Sequence, residues 1–466
     1  MEKKARAQWG SKLGFILAAA GSAVGLGNIW KFPGKAFAGG GGAYLVIYLL
    51  IVILIGLPVM LTEISLGRHT QKNTLGTFRM LNRKFSWVGW FGVITGAVIL
   101  CYYFHVGGWV LSYVFTYITE SGNVMADGLS YFYRFLGYDP AVEATFFPLR
   151  AIIFAALFVL ANTIIIIRGV EKGIEKFNKW AMPALFVILI ILLIRAITLP
   201  GAKEGLSYMM SFDWSKVNSG TFISALGQAF FSLSLGMAIM ITYGSYLSKK
   251  EDIAKSSLII CGLDTLVAFL AGFIIVPAVF ATLGAEGVGK GGGFAFASLA
   301  GVFQAMPLSA LWGVLFYILL LFAAVSSAIS IEEGTVAFIV EEFNTDRKKT
   351  TIMVSLVCFA IGVLYTLSQA SYNITLPWID FTGISKPILG DWLEFWTDRI
   401  LLPVAALGEC IFVGWIWRPE KIREEVTLNG SGFGWFKLYS FLIKFICPAA
   451  IATILVYSLA TGTTVS

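Results

Sequence analysis

Long runs of apolar residues dominate the pattern of hydrophobic and polar positions along this chain. The clearest runs cover residues 43–62, 151–167, 181–194, 309–331 and 350–367. Each meets or approaches the roughly 20 apolar residues that an α-helix needs to cross a bilayer. The pattern predicts eleven spans, with soft boundaries, at 12–38, 42–67, 88–121, 149–167, 175–198, 221–248, 256–284, 309–342, 349–368, 392–417 and 435–461. The predicted fold class is an all-α polytopic membrane protein.

The composition agrees with a protein whose surroundings are a lipid bilayer. Of its 466 residues, 58% are hydrophobic and 13% are charged, whereas soluble domains carry about 25% charged residues. The basic N-terminal stretch leads directly into a long apolar segment, so we expect a retained span and no cleavable signal peptide. The cysteines have neither CxxC spacing nor a loop pair and are predicted to be free thiols: Cys101, Cys261, Cys358, Cys410 and Cys447.

Lysine and arginine are distributed unequally between alternate loops. Loops on the side of the N-terminus carry 22 of these residues, and the opposite loops carry five: Arg134, Lys203, Lys216, Lys290 and Lys386. The positive-inside rule therefore predicts a multi-pass protein of the plasma (cytoplasmic) membrane with a cytoplasmic N-terminus and, after eleven spans, an extracellular C-terminus. The net charge of +7 reflects this topology, and no nucleic-acid partner is predicted.

Two predicted spans contain unusual interruptions. The first includes the sequence GSAVGLGN at 21–28, and the sixth includes SLSLGMA at 232–238. A single glycine in a membrane helix commonly serves close helix packing. Paired interruptions at corresponding positions of two halves instead indicate a binding site made by broken helices. One helix half would offer N–H groups to an anion and the other carbonyl groups to a cation, so that a zwitterion could be held without ionised side chains.

The residues around these interruptions resemble the neurotransmitter:sodium symporter family in its bacterial amino-acid branch. The resemblance extends from Arg6 to about Arg418 and rests on these motifs: 21–33, 39–43, Tyr102-Tyr103, 227–234, 241–246 and Ser326-Ser327. It implies one transporter domain over 1–466. Within that domain, it implies an inverted five-plus-five helix repeat (12–198 and 221–417) with discontinuous first and sixth helices, and one extra span at 435–461.

The resemblance also implies a substrate site between two sodium sites. The implied substrate-binding residues are Ala23, Gly25, Gly27, Ile99, Tyr103, Phe231, Ser232, Ser234, Met237, Ser327 and Ile331. The first sodium ion would be bound by Ala23, Asn28, Ser232 and Asp264. The second would be bound by Gly21, Val24, Ala323, Ser326 and Ser327. In a helix, serine hydroxyls also commonly bond the carbonyl one turn back, so their presence alone does not identify a ligand.

Asp264 stands out without any reference to a family. A carboxylate inside an apolar span costs about 2.5–3.5 kcal/mol on insertion scales, and no lysine or arginine lies close to Asp264 in its own span. A sodium ion is the natural partner. Chloride-dependent relatives have an asparagine at this position, so the resemblance implies that Asp264 supplies the negative charge and that no chloride is required.

The resemblance implies two gates. At the outer end of the first span, Lys31 would pair with Glu394, with Asp380 and Asp391 as competing partners. At the inner side, Arg6 and Trp9 would form an N-terminal latch with Ser245, Tyr246 and Glu341. For Arg6, a plain topological role is the alternative.

The expected substrate is a small neutral amino acid. Gly25 stands where amine-transporting relatives have an aspartate, so a substrate without a carboxylate should lack an anchor. The apolar pocket and the adaptable Met237 favour hydrophobic or aromatic side chains. The resulting prediction is a sodium-coupled symporter that imports neutral L-amino acids by alternating access.

Other function classes fit less well. A sodium-dependent amino-acid-binding sensor or a carrier of another small zwitterion would use the same residues and stays open. A channel would need a continuous polar pore, whereas the sequence has an internal two-half arrangement. An enzyme would need a nucleophile, a metal cluster or an acid–base pair, but His69 and His105 are far apart and have no ligand-like spacing. No enzymatic activity is therefore predicted.

Overall fold

The computed structural model describes residues 6–288, 294–369, 372, 374–376, 378–380, 383–385 and 388–461. Lys3, Lys4, Lys290 and Lys386 of the charge count lie outside them. Within the described residues, nine helices are long and apolar enough to cross a membrane. They are Gly42–Thr70, Arg83–Thr119, Leu149–Ile167, Val170–Ile197, Ile253–Leu283, Ser309–Phe343, Arg347–Gln369, Leu389–Trp417 and Phe436–Ala460. These nine helices correspond to nine of the predicted spans.

The two remaining predicted spans are divided. The first consists of α1 (Lys12–Ala23) and a second half, Gly27–Ala38, that is bent from it by 49°. The sixth consists of α12 (Ser219–Ser232) and α13 (Ile239–Gly244). Neither half of the sixth span reaches the length that a bilayer requires. These are the spans in which the sequence pattern predicted interruptions.

The chain forms a series of α-helices before the break in the sixth span. After α1 come α2 (Phe32–Ala38), α3 (Gly42–Ile51), α4 (Leu57–Thr70), α5 (Thr74–Leu81), α6 (Ser86–Thr119), α7 (Ser121–Ala126), α8 (Gly128–Phe135), α9 (Leu149–Ile167), α10 (Lys176–Ile197), α11 (Ala202–Met210) and α12. Beyond α13 come α14 (Ile253–Leu283), α15 (Phe294–Gln304), α16 (Ser309–Phe343), α17 (Arg347–Gln369), α18 (Leu389–Glu394), α19 (Leu402–Ile411), α20 (Pro419–Val426), α21 (Phe436–Phe441) and α22 (Cys447–Thr461).

Short stretches of other geometry join these helices. The π-helical stretches are Gly27–Lys31, Val52–Gly56, Val170–Glu175, Phe395–Leu401, Phe412–Trp417 and Leu442–Ile446. The 3-10 turns are Arg83–Phe85, Trp214–Lys216, Ala285–Gly287 and Thr427–Asn429. Two small antiparallel hairpins pair β1 (Tyr138–Asp139) with β2 (Ala144–Thr145) and β3 (Trp378–Asp380) with β4 (Gly383–Ser385).

Close helix contacts bring the broken sixth span against its neighbours. A Cβ on Gly67 of α4 would lie 1.9 Å from the carbonyl oxygen of Ile241 in α13, and one on Gly244 would lie 2.4 Å from the carbonyl oxygen of Ile64. Only glycine allows these two backbones to approach so closely, as small residues do between membrane helices. At the other end of the span, Asn218 caps α12 in a reciprocal box with Thr221.

The bundle is organised around α6, which packs against α16, α9 and α17. Large apolar side chains such as Leu157 and Leu160 of α9 are exposed on the outside, where lipid would cover them, whereas Phe158 is buried. All five cysteines are free and buried, as predicted.

Candidate functional site

The first break lies between α1 and its π-helical continuation. Val24 leaves the helix with extended backbone angles (φ −72°, ψ 90°), and its N–H makes the last α1 bond, to Ala20. The N–H of Gly25 donates to Asn28 Oδ1 at 3.1 Å. A Cβ on Gly25 would lie 2.8 Å from Ser327 Oγ, so a side chain at this position would fill the space between α1 and α16.

The second break runs from Leu233 to Ala238. Three residues there, Ser234, Gly236 and Ala238, have positive φ, which interrupts the ladder of helical hydrogen bonds. The N–H of Gly236 is satisfied by Oε1 of Glu63 at 2.8 Å, from the buried interior of α4. Glu63 thus stabilises the broken helix. The sequence interpretation missed this residue, although a carboxylate inside an apolar span is the same signal that identified Asp264.

The two breaks face one cavity of about 330 Å³. All eleven predicted substrate-binding residues line it, together with Ser22, Leu26 and Asn28. Its walls combine the residues of the breaks with apolar side chains from α6, α12 and α16 and with the hydroxyl of Tyr103. That hydroxyl is buried and has no hydrogen-bond partner among the described residues. A buried unpaired donor is costly, so the group fits a polar atom of a ligand.

The side chains of the predicted first sodium site converge at the edge of this cavity. Asp264 Oδ1 accepts hydrogen bonds from Asn28 Nδ2 at 2.7 Å and from Ser232 Oγ at 2.8 Å. Asp264 is fully buried and, among the described residues, forms no ion pair. Tyr48 also donates to Asp264 Oδ2, at 3.4 Å. A buried carboxylate held only by neutral donors fits a cation at this place. Asn28 directs its Nδ2 to Asp264 and its Oδ1 to the N–H of Gly25. A sodium ion bound by Asn28 would use Oδ1, because the amide nitrogen is only a donor.

The predicted second sodium site joins α1 and α16. A Cβ on Gly21 would lie 3.1 Å from Ser326 Cβ, so the two segments are in contact. Ser326 Oγ donates to the carbonyls of Phe322 and Ala323 in its own helix, whereas Ser327 Oγ donates across to the carbonyl of Ser22 at 3.1 Å. The hydroxyl oxygens keep lone pairs for a cation, and hard cations prefer oxygen ligands. Within the described residues, no cluster of three His, Cys, Asp or Glu side chains offers another metal site.

The predicted inner latch residues come together. Arg6 forms an ion pair with Glu341, donates to Ser245 Oγ from Nη2 at 2.6 Å, and lies over the ring of Tyr246. Trp9 Nε1 donates to the carbonyl of Tyr243 at 3.0 Å. The N-terminal segment is thus fastened across the C-terminal ends of α13 and α16.

The latch has further members that the sequence interpretation missed. Glu175 accepts the N–H of Gly10 at 2.7 Å and the hydroxyl of Ser11 at 2.8 Å, and so ties the start of α1 to the beginning of α10. Glu333 accepts from Tyr246 and pairs with Arg347 at 2.5 Å. Both glutamates are almost fully buried. Glu333 lies inside the predicted span 309–342, so the signal that identified Asp264 was present there too, whereas Glu175 lies at the edge of a predicted span and is recognised only once the fold places it.

At the predicted outer gate, Lys31 lies against an aromatic ring. Lys31 forms no ion pair with Glu394 or Asp391, and its Nζ lies 4.9 Å from the ring centroid of Phe231. The ring face attracts the ammonium group. The acidic residue that shares a cavity wall with Lys31 is Asp398, which the sequence interpretation did not consider. The side chain of Asp380 lies outside the described part of the chain.

Comparison with known proteins identifies the family. The model of the sodium:neurotransmitter symporter family matches residues 6–124 and 147–465. Among named relatives, the uncharacterised sodium-dependent transporter YhdH of Bacillus subtilis is 34% identical over 459 residues, which are 97% of each chain. The sodium-dependent serotonin transporter of Drosophila melanogaster is 26% identical, over 98% of this chain and 77% of its own length.

A solved structure agrees with this assignment. The crystal structure of MhsT in complex with L-phenylalanine superposes with a TM-score of 0.85 at 38% sequence identity, covering 97% of this chain and 99% of MhsT. Fold, family match and relatives therefore agree that this chain belongs to the sodium:neurotransmitter symporter family, a family of membrane transporters.

Proposed function

We propose that the protein is a sodium-coupled symporter that imports neutral, hydrophobic or aromatic L-amino acids. The observation that carries this proposal is the single cavity between the two helix breaks, with a buried carboxylate at its edge. The α-carboxylate would bind near Gly25, Tyr103 and the first sodium ion, and the α-amino group would face backbone carbonyls. The L-phenylalanine bound to MhsT supports an amino acid of this class.

Coupling would follow from sites that both halves of the protein contribute. The first sodium ion would contact Asn28 and Asp264, on opposite sides of the chain's midpoint, and the substrate carboxylate would complete its shell. The ions would then favour the arrangement in which these groups are close, and bound sodium and substrate shift the same conformational equilibrium. Opening toward the cytoplasm would require release of the Arg6 latch, which is the alternating-access step.

The same site supports transport that does not require chloride, because Asp264 already supplies a negative charge. Two sodium ions are proposed, one at each of the predicted sites.

We also propose a plasma-membrane location with the N-terminus inside and the C-terminus outside. An impermeant maleimide should label Lys250→Cys only from the cytoplasmic side and Ala141→Cys only from outside, since both positions are exposed and the predicted topology puts their loops on opposite sides. The reverse labelling would overturn the orientation.

The transport proposal is tested with purified protein in liposomes and a panel of radiolabelled amino acids. An inward sodium gradient should drive accumulation of one or a few neutral amino acids, and a choline gradient of equal size should not. A sodium ionophore should release the accumulated label. If the panel binds without accumulating, the protein is a sensor; if only a non-amino-acid zwitterion accumulates, the proposed substrate class is wrong.

A further inference from the structure

Asn178, in the first turn of α10, places an oxygen without a hydrogen-bond donor among the described residues against the predicted second sodium site. Its side chain is fully buried, and its Oδ1 has no hydrogen-bond donor among the described residues. A Cβ on Gly21 would lie 2.2 Å from this oxygen. The oxygen therefore stands directly beside Gly21 Cα, on the α10 side of the contact between Gly21 and Ser326.

The orientation of the amide is fixed by its other end. Asn178 Nδ2 donates to the carbonyl of Ile174 at 2.9 Å, one turn earlier in the chain. If the amide were flipped, Oδ1 would face the carbonyl oxygen of Ile174. Both atoms are acceptors, so this hydrogen bond would be lost. Oδ1 must therefore face α1. Among the described residues, no hydrogen-bond donor satisfies it.

We infer that Asn178 Oδ1 is an additional oxygen ligand for the second sodium ion, supplied by α10. This inference rests on the proposed function and adds a residue to its second site. An amide oxygen is a suitable ligand for a hard cation, and a buried acceptor left without a donor costs free energy that a bound cation would recover. A ligand from α10 would make the second ion join three helices, α1, α10 and α16.

The test is a sodium titration of thermal stability in detergent without amino acid, so that the first site lacks the substrate carboxylate. In Asn178→Ala, the sodium concentration at half-maximal stabilisation should rise about tenfold, as is typical when a group that supports a metal site is removed. Asn178→Asp keeps an oxygen at this position and should stay within about threefold of the wild type. An unchanged midpoint in Asn178→Ala would overturn the inference.

Asn162 of α9 provides a matched control. It is also fully buried, its Nδ2 donates to the carbonyl one turn back (Phe158, 2.7 Å), and its Oδ1 likewise has no donor among the described residues. It belongs to neither predicted sodium site. Asn162→Ala should lower the sodium-free melting temperature much as Asn178→Ala does, but leave the sodium midpoint unchanged. Equal midpoint shifts in the two variants would mean that Asn178 is merely structural.

Repeating the titration in an Asp264→Asn background, which weakens the first site, distinguishes an effect of Asn178 at the second sodium site from an effect at the first. The shift caused by Asn178→Ala should persist there; its disappearance would assign the effect to the first site and overturn the inference. A wild-type protein that sodium does not stabilise at all would instead contradict the proposed function.

Discussion

The side-chain amide of Asn28, in the first broken helix, donates a hydrogen bond to Asp264 Oδ1 in α14 at 2.7 Å. The same carboxylate oxygen accepts from Ser232 at the end of α12. One buried acidic group thus touches both helix breaks. Any change of its charge should alter both the cation site and the way in which the two halves of the protein fit together.

Asp264→Asn is expected to raise the sodium concentration for half-maximal uptake by more than tenfold and to make uptake depend on chloride. The substitution keeps the size of the side chain but removes the negative charge that balances the cation. Uptake should be measured in liposomes with chloride or gluconate as the anion. The wild type should transport equally in both.

Asp252→Asn is the matched control for that experiment. Asp252 caps the start of the same helix by accepting from Lys255 N at 3.0 Å, and asparagine is an equally good cap. Chloride dependence in this variant, or in the wild type, would contradict the assignment of the charge to Asp264.

Gly25→Ala should weaken amino-acid binding by at least about tenfold, or about 1.4 kcal/mol. The new methyl group would stand 2.8 Å from Ser327 Oγ inside the cavity, where the substrate carboxylate is expected. Binding of a radiolabelled substrate to the purified protein measures the change. Gly262→Ala is the control because a Cβ there meets nothing within 4 Å. Equal affinities of Gly25→Ala and wild type would show that the cavity has been assigned wrongly.

Arg6→Ala should release the N-terminal latch. The loss of the ion pair with Glu341 and of the bonds to Ser245 should increase hydrogen exchange of residues 6–11 by at least about tenfold, since local opening costs little free energy once few contacts remain. Arg79→Ala is the control: Arg79 pairs with the adjacent Glu342 at 2.5 Å, outside the latch. If both variants changed exchange equally, the latch would not depend on Arg6.

Glu425 should make a pH-dependent contribution to stability. Burial would raise its pKa, but hydrogen bonds from His69 and Arg68 and the charges of Arg68 and Lys249 outweigh burial and lower the pKa from 4.5 to about 2. Because the folded pKa lies below the unfolded one, this stabilisation is complete above about pH 4.5 and is lost as the pH falls toward 2.

Thermal melting in detergent of wild type and Glu425→Gln tests this expectation. At pH 7 the variant should be less stable by about 2 kcal/mol, the contribution of hydrogen bonds to a buried charge. The difference should stay constant down to pH 5 and shrink below it. Glu424→Gln, at an exposed neighbour paired with Lys421, should have little effect at any pH. A difference that grows on acidification would contradict the assignment.

Hydrophobic run length was sufficient to predict the spans, because a bilayer demands about 20 apolar residues whatever the neighbours are. The interruptions at 21–28 and 232–238 were visible for a similar local reason, since glycine-rich polar sequence is unusual inside a span. Asp264 was detectable as an isolated charge. Within the described residues, the structure confirmed nine of the predicted spans and a bent pair of helices at the first, and the family match agreed with the resemblance.

Contacts between distant elements could not be predicted in the same way. Glu175 looks like an ordinary surface residue in the sequence KGIEK, and only packing brings it against Gly10 and Ser11. The outer gate meets the same limit: several acidic residues could partner Lys31, and the sequence could not show that its Nζ lies 4.9 Å from the centroid of the Phe231 ring. Side-chain choice among near-equal partners is a property of three-dimensional geometry.

The divided sixth helix also affects how the protein is made. Its halves, Ser219–Ser232 and Ile239–Gly244, are each too short to partition into lipid alone, and the link between them exposes backbone groups that hydrocarbon cannot satisfy. Glu63 supplies one of the missing partners from α4, which is synthesised much earlier. When the sixth span is synthesised, α4 and the carboxylate of Glu63 have therefore already been made. Stable insertion of this span should depend on assembly with the first half of the protein rather than on its own hydrophobicity.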